Sequence, residues 1–347
     1  MPYNDAMSYL EIILPFAIPP QALAQALMKQ LQAPALATLL GHAKTAISHE
    51  FDEHARQLPH EYWLTRSFSD NQTRTASIDT RGNSPALSHF YMQQHGVCPE
   101  QGYWFTLSPV HIHVARDHLV MTDPRRLPMS EEESRALFAA AQPLCQELGH
   151  ELVYGDGRTW FLRADQWRTL ATASLSAASG HNMDIWIAQG ENAVAWRKLQ
   201  NEIQMLWHMH PVNQNREALG INTINSLWLH SGSAALQKPT YEFGMTAFNA
   251  ALSSGKEFQG KGVVLDDLAE SSLNSDWGSW LTGMQDLEKS CFSPILQALR
   301  DQKMRAVNLV FSNTQRLCVI ECRSPQRWKM WRKPSLQMLV ELAETKN

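Results

Sequence analysis

Residues 201–233, NEIQMLWHMHPVNQNREALGINTINSLWLHSGS, gather His208, His210, five asparagines, Arg216 and three Gly or Pro residues between an apolar helix face and a strand. That density of polar groups beside core-forming segments belongs to a ligand site or to a buried hydrogen-bond network. Arg216 follows Asn213 and Asn215 and is suited to hold a phosphate or carboxylate, because guanidinium presents a planar fork of donors. The structural alternative is that Arg216 locks the loop through Glu202 or helix-end carbonyls. His210 reads as part of a helix core stripe, bonded to a backbone carbonyl or facing a ligand. Asn213, Asn222 and Asn225 read as turn residues that bond backbone. His208 and His210, about 200° apart around a helix, cannot share an ion. The candidate ligand residues are His210, Asn213, Arg216 and Asn225.

Other groups are thinner. His111 and His113 fall on one face of a strand, a spacing used by metal hydrolases. Further ligands are needed, and Asp117 and His118 are separated from the pair by a turn, so two histidines on an exposed strand face is the favoured reading. Asp156 of Gly155-Asp156-Gly157 reads as a turn residue. Asp266-Asp267 closes the strand-like VVLDDL, where α/β enzymes do place acids, but it lacks a paired base. Ser231-Gly232-Ser233 lacks the nucleophile-elbow pattern.

Residues 8–16 form a buried strand stopped by Pro19-Pro20, 21–45 hold one or two helices, 55–67 a short helix and 68–86 a polar loop. Strands are expected at 103–106, 110–115 and 118–122. Ser130 then caps a helix running to Leu148 with Gly149 behind it. Glu151–Tyr154 and Thr159–Leu162 flank a hairpin turn. Residues 171–180, ATASLSAASG, read as a low-complexity connector. A helix over 191–210 carries Leu199, Ile203, Leu206 and His210 on its core stripe, and Pro211 ends it. Asn225–His230, Gly262–Leu265, Val307–Ser312 and Leu317–Cys322 read as strands, with a helix over Trp280–Arg300. Strands alternating with helices predict an α/β layer fold.

Composition bounds the rest. The chain has 347 residues, 44% hydrophobic and 18% charged, with a net charge of −4. Lys and Arg are scattered, so nucleic-acid binding has no electrostatic support. The basic cluster Arg323–Lys333 with Trp328 and Trp331 reads as an amphipathic closing segment. Five widely spaced cysteines (98, 145, 291, 318, 322) fit reduced thiols in a cytoplasm. The early apolar run IILPFAIPP holds three prolines and no Lys or Arg, so it is neither a signal peptide nor a membrane span. The expectation is a cytoplasmic protein with no nucleic-acid or membrane partner and no cofactor.

The block HPVNQNREALGINTINSLWLHSG resembles the "HPVN–R–G–N–strand–G" block of archaeal-type cofactor-independent phosphoglycerate mutases. LPHEYWLTRSF, PVHIHVARDHLVMTD, NEIQMLWHMHPVN, NSLWLHSG and RWKMWRKP together resemble a proteobacterial group, the RpfE-type regulatory or phosphoglycerate mutase-related proteins, over most of residues 55–335. The resemblance implies an alkaline-phosphatase-like α/β core, residues 1–100 and 170–347, with an inserted α+β subdomain over 101–169. It does not carry the chemistry with it. Those mutases use two divalent metals, an Asp-Gly after the first strand, Asp and His ligands, and a Ser or Thr nucleophile. Here YLEIILPFAIPP has no Asp-Gly, and no histidine follows His230. The resemblance therefore implies a regulatory or binding relative of a bacterial type, with a phosphorylated or carboxylate ligand, a protein partner or a second copy as its partner. The alternative is a metal-dependent phosphotransferase or hydrolase using His111, His113 and Asp117.

Overall fold

The computed structural model describes residues 10–67, 84–99, 101–234, 241–254, 262–323 and 333–344. The expected loop over 68–86 and the basic segment with Trp328 and Trp331 lie largely outside these residues. Strands in chain order are β1 Leu10–Leu14, β2 Lys44–Glu50, β3 Trp104–Val110, β4 Ile112–Ala115, β5 His118–Met121, β6 Glu151–Asp156, β7 Thr159–Arg163, β8 Ser226–Ser233, β9 Tyr241–Phe243, β10 Gly262–Val264, β11 Ala306–Ser312 and β12 Arg316–Arg323. The helices used below are α1 Pro34–His42, α2 Pro59–Ser67, α3 Ser88–Gln94, α4 Glu131–Glu147, α5 Leu175–Ala178, α6 Ala193–His208, α7 Pro211–Ala218, α8 Trp277–Leu287 and α9 Ser293–Arg300. No described helix is long and apolar enough to cross a membrane.

The chain divides into two compact units, Met1–Phe51 with Pro239–Asn347, and Asp52–Lys238. The expected 101–169 segment lies inside the second, whose sheet also takes β8 from beyond it.

The first unit is built on a six-stranded mixed sheet in the order β2-β12-β11-β1-β10-β9. β1 runs parallel to β10 and β11, and β12 turns antiparallel beside β11. Ile12, Ile13 and Leu14 are fully buried, the near-continuous apolar run that a parallel strand covered on both faces requires. Two helices, α8 and α9, occupy the expected Trp280–Arg300 span with a π-helical turn, Glu288–Phe292, between them. Pro294 explains the turn: it has no N–H for the ladder, and its ring displaces a preceding carbonyl. Glu288 in that turn accepts from the backbone N–H of Ala35 and Leu36 at 2.7 and 3.0 Å, so a carboxylate satisfies buried donors that open α1 and have no partner within the helix.

The second unit holds an antiparallel sheet in the order β6-β7-β3-β8. One face carries Phe105, Leu107, Trp160, Leu162, Leu227 and Leu229 into a core completed by Leu137, Ala141 and Cys145 of α4 and Trp196, Leu199, Ile203 and Trp207 of α6. The capping box read from Ser130 is present: Ser130 Oγ accepts from Glu133 N, and the Glu133 carboxylate accepts from Ser130 N. Residues 171–180, expected as a connector, are instead mostly buried and contain α5, capped by Ser174. Small side chains let this segment approach the sheet closely, and Trp228 Nε1 donates to Ala173 O at 3.0 Å.

Candidate functional site

The polar block begins where α6 ends. Its core stripe is Trp196, Leu199, Ile203 and Trp207, whereas the expected Leu206 is 41% exposed. His210 is not on that stripe. It has left the helix to become the N-cap of α7, its Nδ1 accepting from Val212 N at 3.2 Å. Pro211 ends α6 as expected and also opens α7, since the first helical position needs no N–H. The segment read as a turn is thus a short helix, and it turns Asn213 and Arg216 inward, each 1% exposed.

Arg216 is committed within the protein. Nε donates to Asn222 O at 2.7 Å and Nη2 to Pro128 O at 2.7 Å. Nη1 donates to both carboxylate oxygens of Glu133 at 3.0 Å. The anion on the guanidinium is therefore this chain's own Glu133, brought in by α4. Glu202, the partner considered from sequence, instead lies beside Lys198 at 4.0 Å. Asn213 Nδ2 donates to Trp207 O and Ile224 O at 2.9 and 2.8 Å, while its Oδ1 accepts from Ile224 N at 2.8 Å. Asn213 and Asn225 do bond backbone, although to partners well beyond their own turns. Burial holds the His210 imidazole below its ordinary pKa.

Asn225 belongs to a second cluster. It accepts from Ile112 N at 2.8 Å and donates to Ile112 O at 2.7 Å, fixing the peptide between His111 and His113. The two imidazoles stand on one face as the spacing predicts, with ring centroids 5.7 Å apart and planes 16° apart. His111 Nδ1 donates to Thr223 O at 2.8 Å. His118 is tied to Asp117 at 3.0 Å. Among the described residues, no group of three or more His, Cys, Asp or Glu is close enough to hold a metal ion.

In the first unit, the carboxyl ends of the parallel strands are where an α/β sheet presents its ligands. β1 runs there into Phe16, Ala17 and Ile18, each at most 1% exposed. Phe16 adopts a left-handed φ of 60°, and its carbonyl accepts from Trp280 Nε1 at 2.9 Å. Ile18 N donates to Ser312 O at the end of β11. Asp266 and Asp267, beyond β10, are exposed. The corner nearest β1 is closed by apolar side chains.

In fold the chain is similar to the PH0037 protein from Pyrococcus horikoshii. That structure aligns over 97% of this chain and 93% of its own, at 10% identity and a TM-score of 0.54. The cofactor-independent phosphoglycerate mutase from Thermoplasma acidophilum DSM 1728 aligns over 97% of this chain and 96% of its own, at 11% identity and a TM-score of 0.38. No family model matches the sequence, and no curated protein matches it.

One polar arrangement escaped the sequence reading. On the sheet face opposite the leucines of β8, His230 Nε2 lies 3.2 Å from Ser108 Oγ, and its Nδ1 lies 2.8 Å from Ser231 Oγ. All three residues are buried, and burial pushes the His230 imidazole down to about 3. Two-residue alternation in NSLWLH already placed Trp228 and His230 on the face away from Leu227 and Leu229. Left unseen was the bulge, where the pairing shifts between Trp104 and Thr106 and Ser231 takes a φ of 58°. Gly232 is required there: a Cβ would lie 2.4 Å from the Phe105 ring.

Proposed function

We propose that this chain is a non-catalytic relative of the cofactor-independent phosphoglycerate mutases, serving as a regulatory or binding protein on an alkaline-phosphatase-like core. The observation that carries this reading is the closed end of β1. Phe16, Ala17 and Ile18 are buried apolar side chains at the position where the resembling mutases have their first metal-ligating Asp-Gly. Hard divalent cations need several carboxylates at one point. The sequence block around His210 supports the kinship.

The ligand class suited to His210, Asn213, Arg216 and Asn225 is a phosphorylated or carboxylate metabolite. Such an anion would have to displace Glu133 from the Arg216 fork. A partner protein or a second copy needs no such exchange. In this reading the block is a retained junction of the scaffold.

The test uses protein purified without chelator and assayed for interconversion of 2- and 3-phosphoglycerate with Mg2+, Mn2+ or Zn2+ added. The expected result is no turnover above a heat-denatured control. Turnover abolished by EDTA would overturn the reading.

A further inference from the structure

We propose that His111 and His113 form a two-imidazole site for a borderline divalent transition ion, Cu2+ before Ni2+ or Zn2+, on the face of the β4–β5 hairpin. The inference does not rest on catalytic silence, since it concerns different residues in the second unit and a binding readout.

Residues two apart on a strand project to the same side, so His-x-His offers two nitrogens to one ion, which a helix cannot do at that spacing. The observed rings are nearly parallel, with planes 16° apart and centroids 5.7 Å apart. With the His111 ring held by Thr223 O, it is the exposed His113 side chain that turns about its own bonds to bring a nitrogen to an ion at the roughly 2.0–2.1 Å that imidazole takes on such ions.

The nitrogen each ring offers is also settled. His111 donates its Nδ1 proton to Thr223 O at 2.8 Å, which makes Nε2 the nitrogen that carries the lone pair. A backbone carbonyl on the far nitrogen is the usual outer partner of a metal-bound histidine, fixing tautomer and ring orientation. His113 Nδ1 lies 3.4 Å from Thr122 Oγ1, leaving its Nε2 unengaged among the described residues. Between the two rings, Asn225 holds both polar groups of the Ile112 peptide, and its own N–H donates to Val110 O at 3.1 Å. Residues 110–113 are therefore pinned by residues 223–225, and the backbone that carries both imidazoles is positioned before any ion arrives.

Electrostatics allow a cation here. Arg216, the nearby fixed positive charge, is paired with Glu133. His118 shares the hairpin face, because it pairs with Ala115, two residues beyond His113, but it is bonded to Asp117. Two protein ligands with water on the remaining positions make an exchangeable site, and the Irving–Williams order puts Cu2+ first among its occupants.

The test is Cu2+ titration of the full chain at pH 7.5, read by electron paramagnetic resonance and by competition with a chromogenic chelator. One tightest Cu2+ with nitrogen hyperfine structure is expected. His113→Gln and His111→Gln should each weaken it by at least about tenfold, the lower end of what losing even an outer partner costs. His118→Gln should leave it within about twofold. Because His113 is exposed, its variant tests the ligand without testing the fold. Unchanged affinity in His113→Gln, or equal losses in all three variants, would overturn the proposal.

Discussion

Glu133 lays both carboxylate oxygens 3.0 Å from Nη1 of Arg216, joining the first turn of α4 to the last turn of α7. Glu133 serves twice, since one of those oxygens also accepts from Ser130 N at 2.8 Å in the capping box. Arg216 is 1% exposed and the Glu133 side chain 23%. Removing one member of such a pair leaves a desolvated charge together with two backbone carbonyls, those of Pro128 and Asn222, stripped of their donor. Arg216→Ala should therefore cost about 3–5 kcal/mol, measured by urea unfolding. Arg216→Lys should recover only part, because an ammonium cannot reproduce the fork. A loss in Arg216→Ala below about 1 kcal/mol would show that the pair is not structural.

The same geometry predicts how the protein treats anions. A ligand binding only the folded state at a hundredfold over its Kd would stabilise by about 2.7 kcal/mol. With Glu133 already on the fork, phosphoglycerates and inorganic phosphate should leave Tm unchanged. A saturable rise of several degrees, lost in Arg216→Lys, would show that an anion does displace Glu133.

Much of this was legible in the sequence, and the misses have a common cause. The capping box at Ser130, the hairpin between 151 and 163 and the apolar run of β1 are local signals set by a few neighbouring residues, and each recurs in the structure, although Gly155 and Asp156 belong to β6 and the turn itself is Gly157-Arg158. The His111–His113 face follows from strand period alone. Arg216 was seen as a fork, but its partner stands 83 positions away, and no spacing rule identifies it. His210 was placed on the stripe of α6 because Leu206 fits a helical spacing as well as Trp207 does. The tryptophans won because burying Trp196 and Trp207 removes more apolar surface from water. Residues 171–180 looked like a linker because small polar residues fit both a linker and a tight contact beneath a sheet.

The bulge on β8 gives a prediction of the second kind, one of shape. Gly232 faces Phe105 and Tyr103, whose ring carbons lie 2.4 and 2.9 Å from where a Cβ would be. Both rings border the core, Phe105 being fully buried. Gly232→Ala should destabilise by about 1–3 kcal/mol, the usual cost of forcing extra volume into a packed site. The accompanying signature is a change in near-ultraviolet circular dichroism from the displaced aromatics. A neutral or stabilised Gly232→Ala would mean that the strand shifts freely at the bulge.

His230 yields a pH dependence whose sign can be worked through. Its folded value is pushed down to about 3 by burial, whereas the unfolded chain titrates at the ordinary 6.5. Between those values the unfolded state binds more protons, so stability falls as pH is lowered through that window. The slope is about 1.4 kcal/mol per pH unit for one such group, and above roughly pH 7 the term is flat. Other titrations complicate the raw curve. His60, partly buried and held at about 3 by desolvation, pulls in the same direction. Glu61, raised by burial to about 7, contributes stability that is present in acid and lost as pH rises through that value. The difference between wild type and His230→Gln cancels these, since no other titrating residue is altered. Gln can still reach Ser108 and Ser231, which keeps the comparison about charge. The stability advantage of wild type over the variant should therefore be constant from pH 7 to 8 and shrink by about 1.4 kcal/mol per unit from pH 6 to 4. An advantage that does not change with pH would mean that the imidazole is solvated, and that the sheet face around Ser108 and Ser231 opens to water.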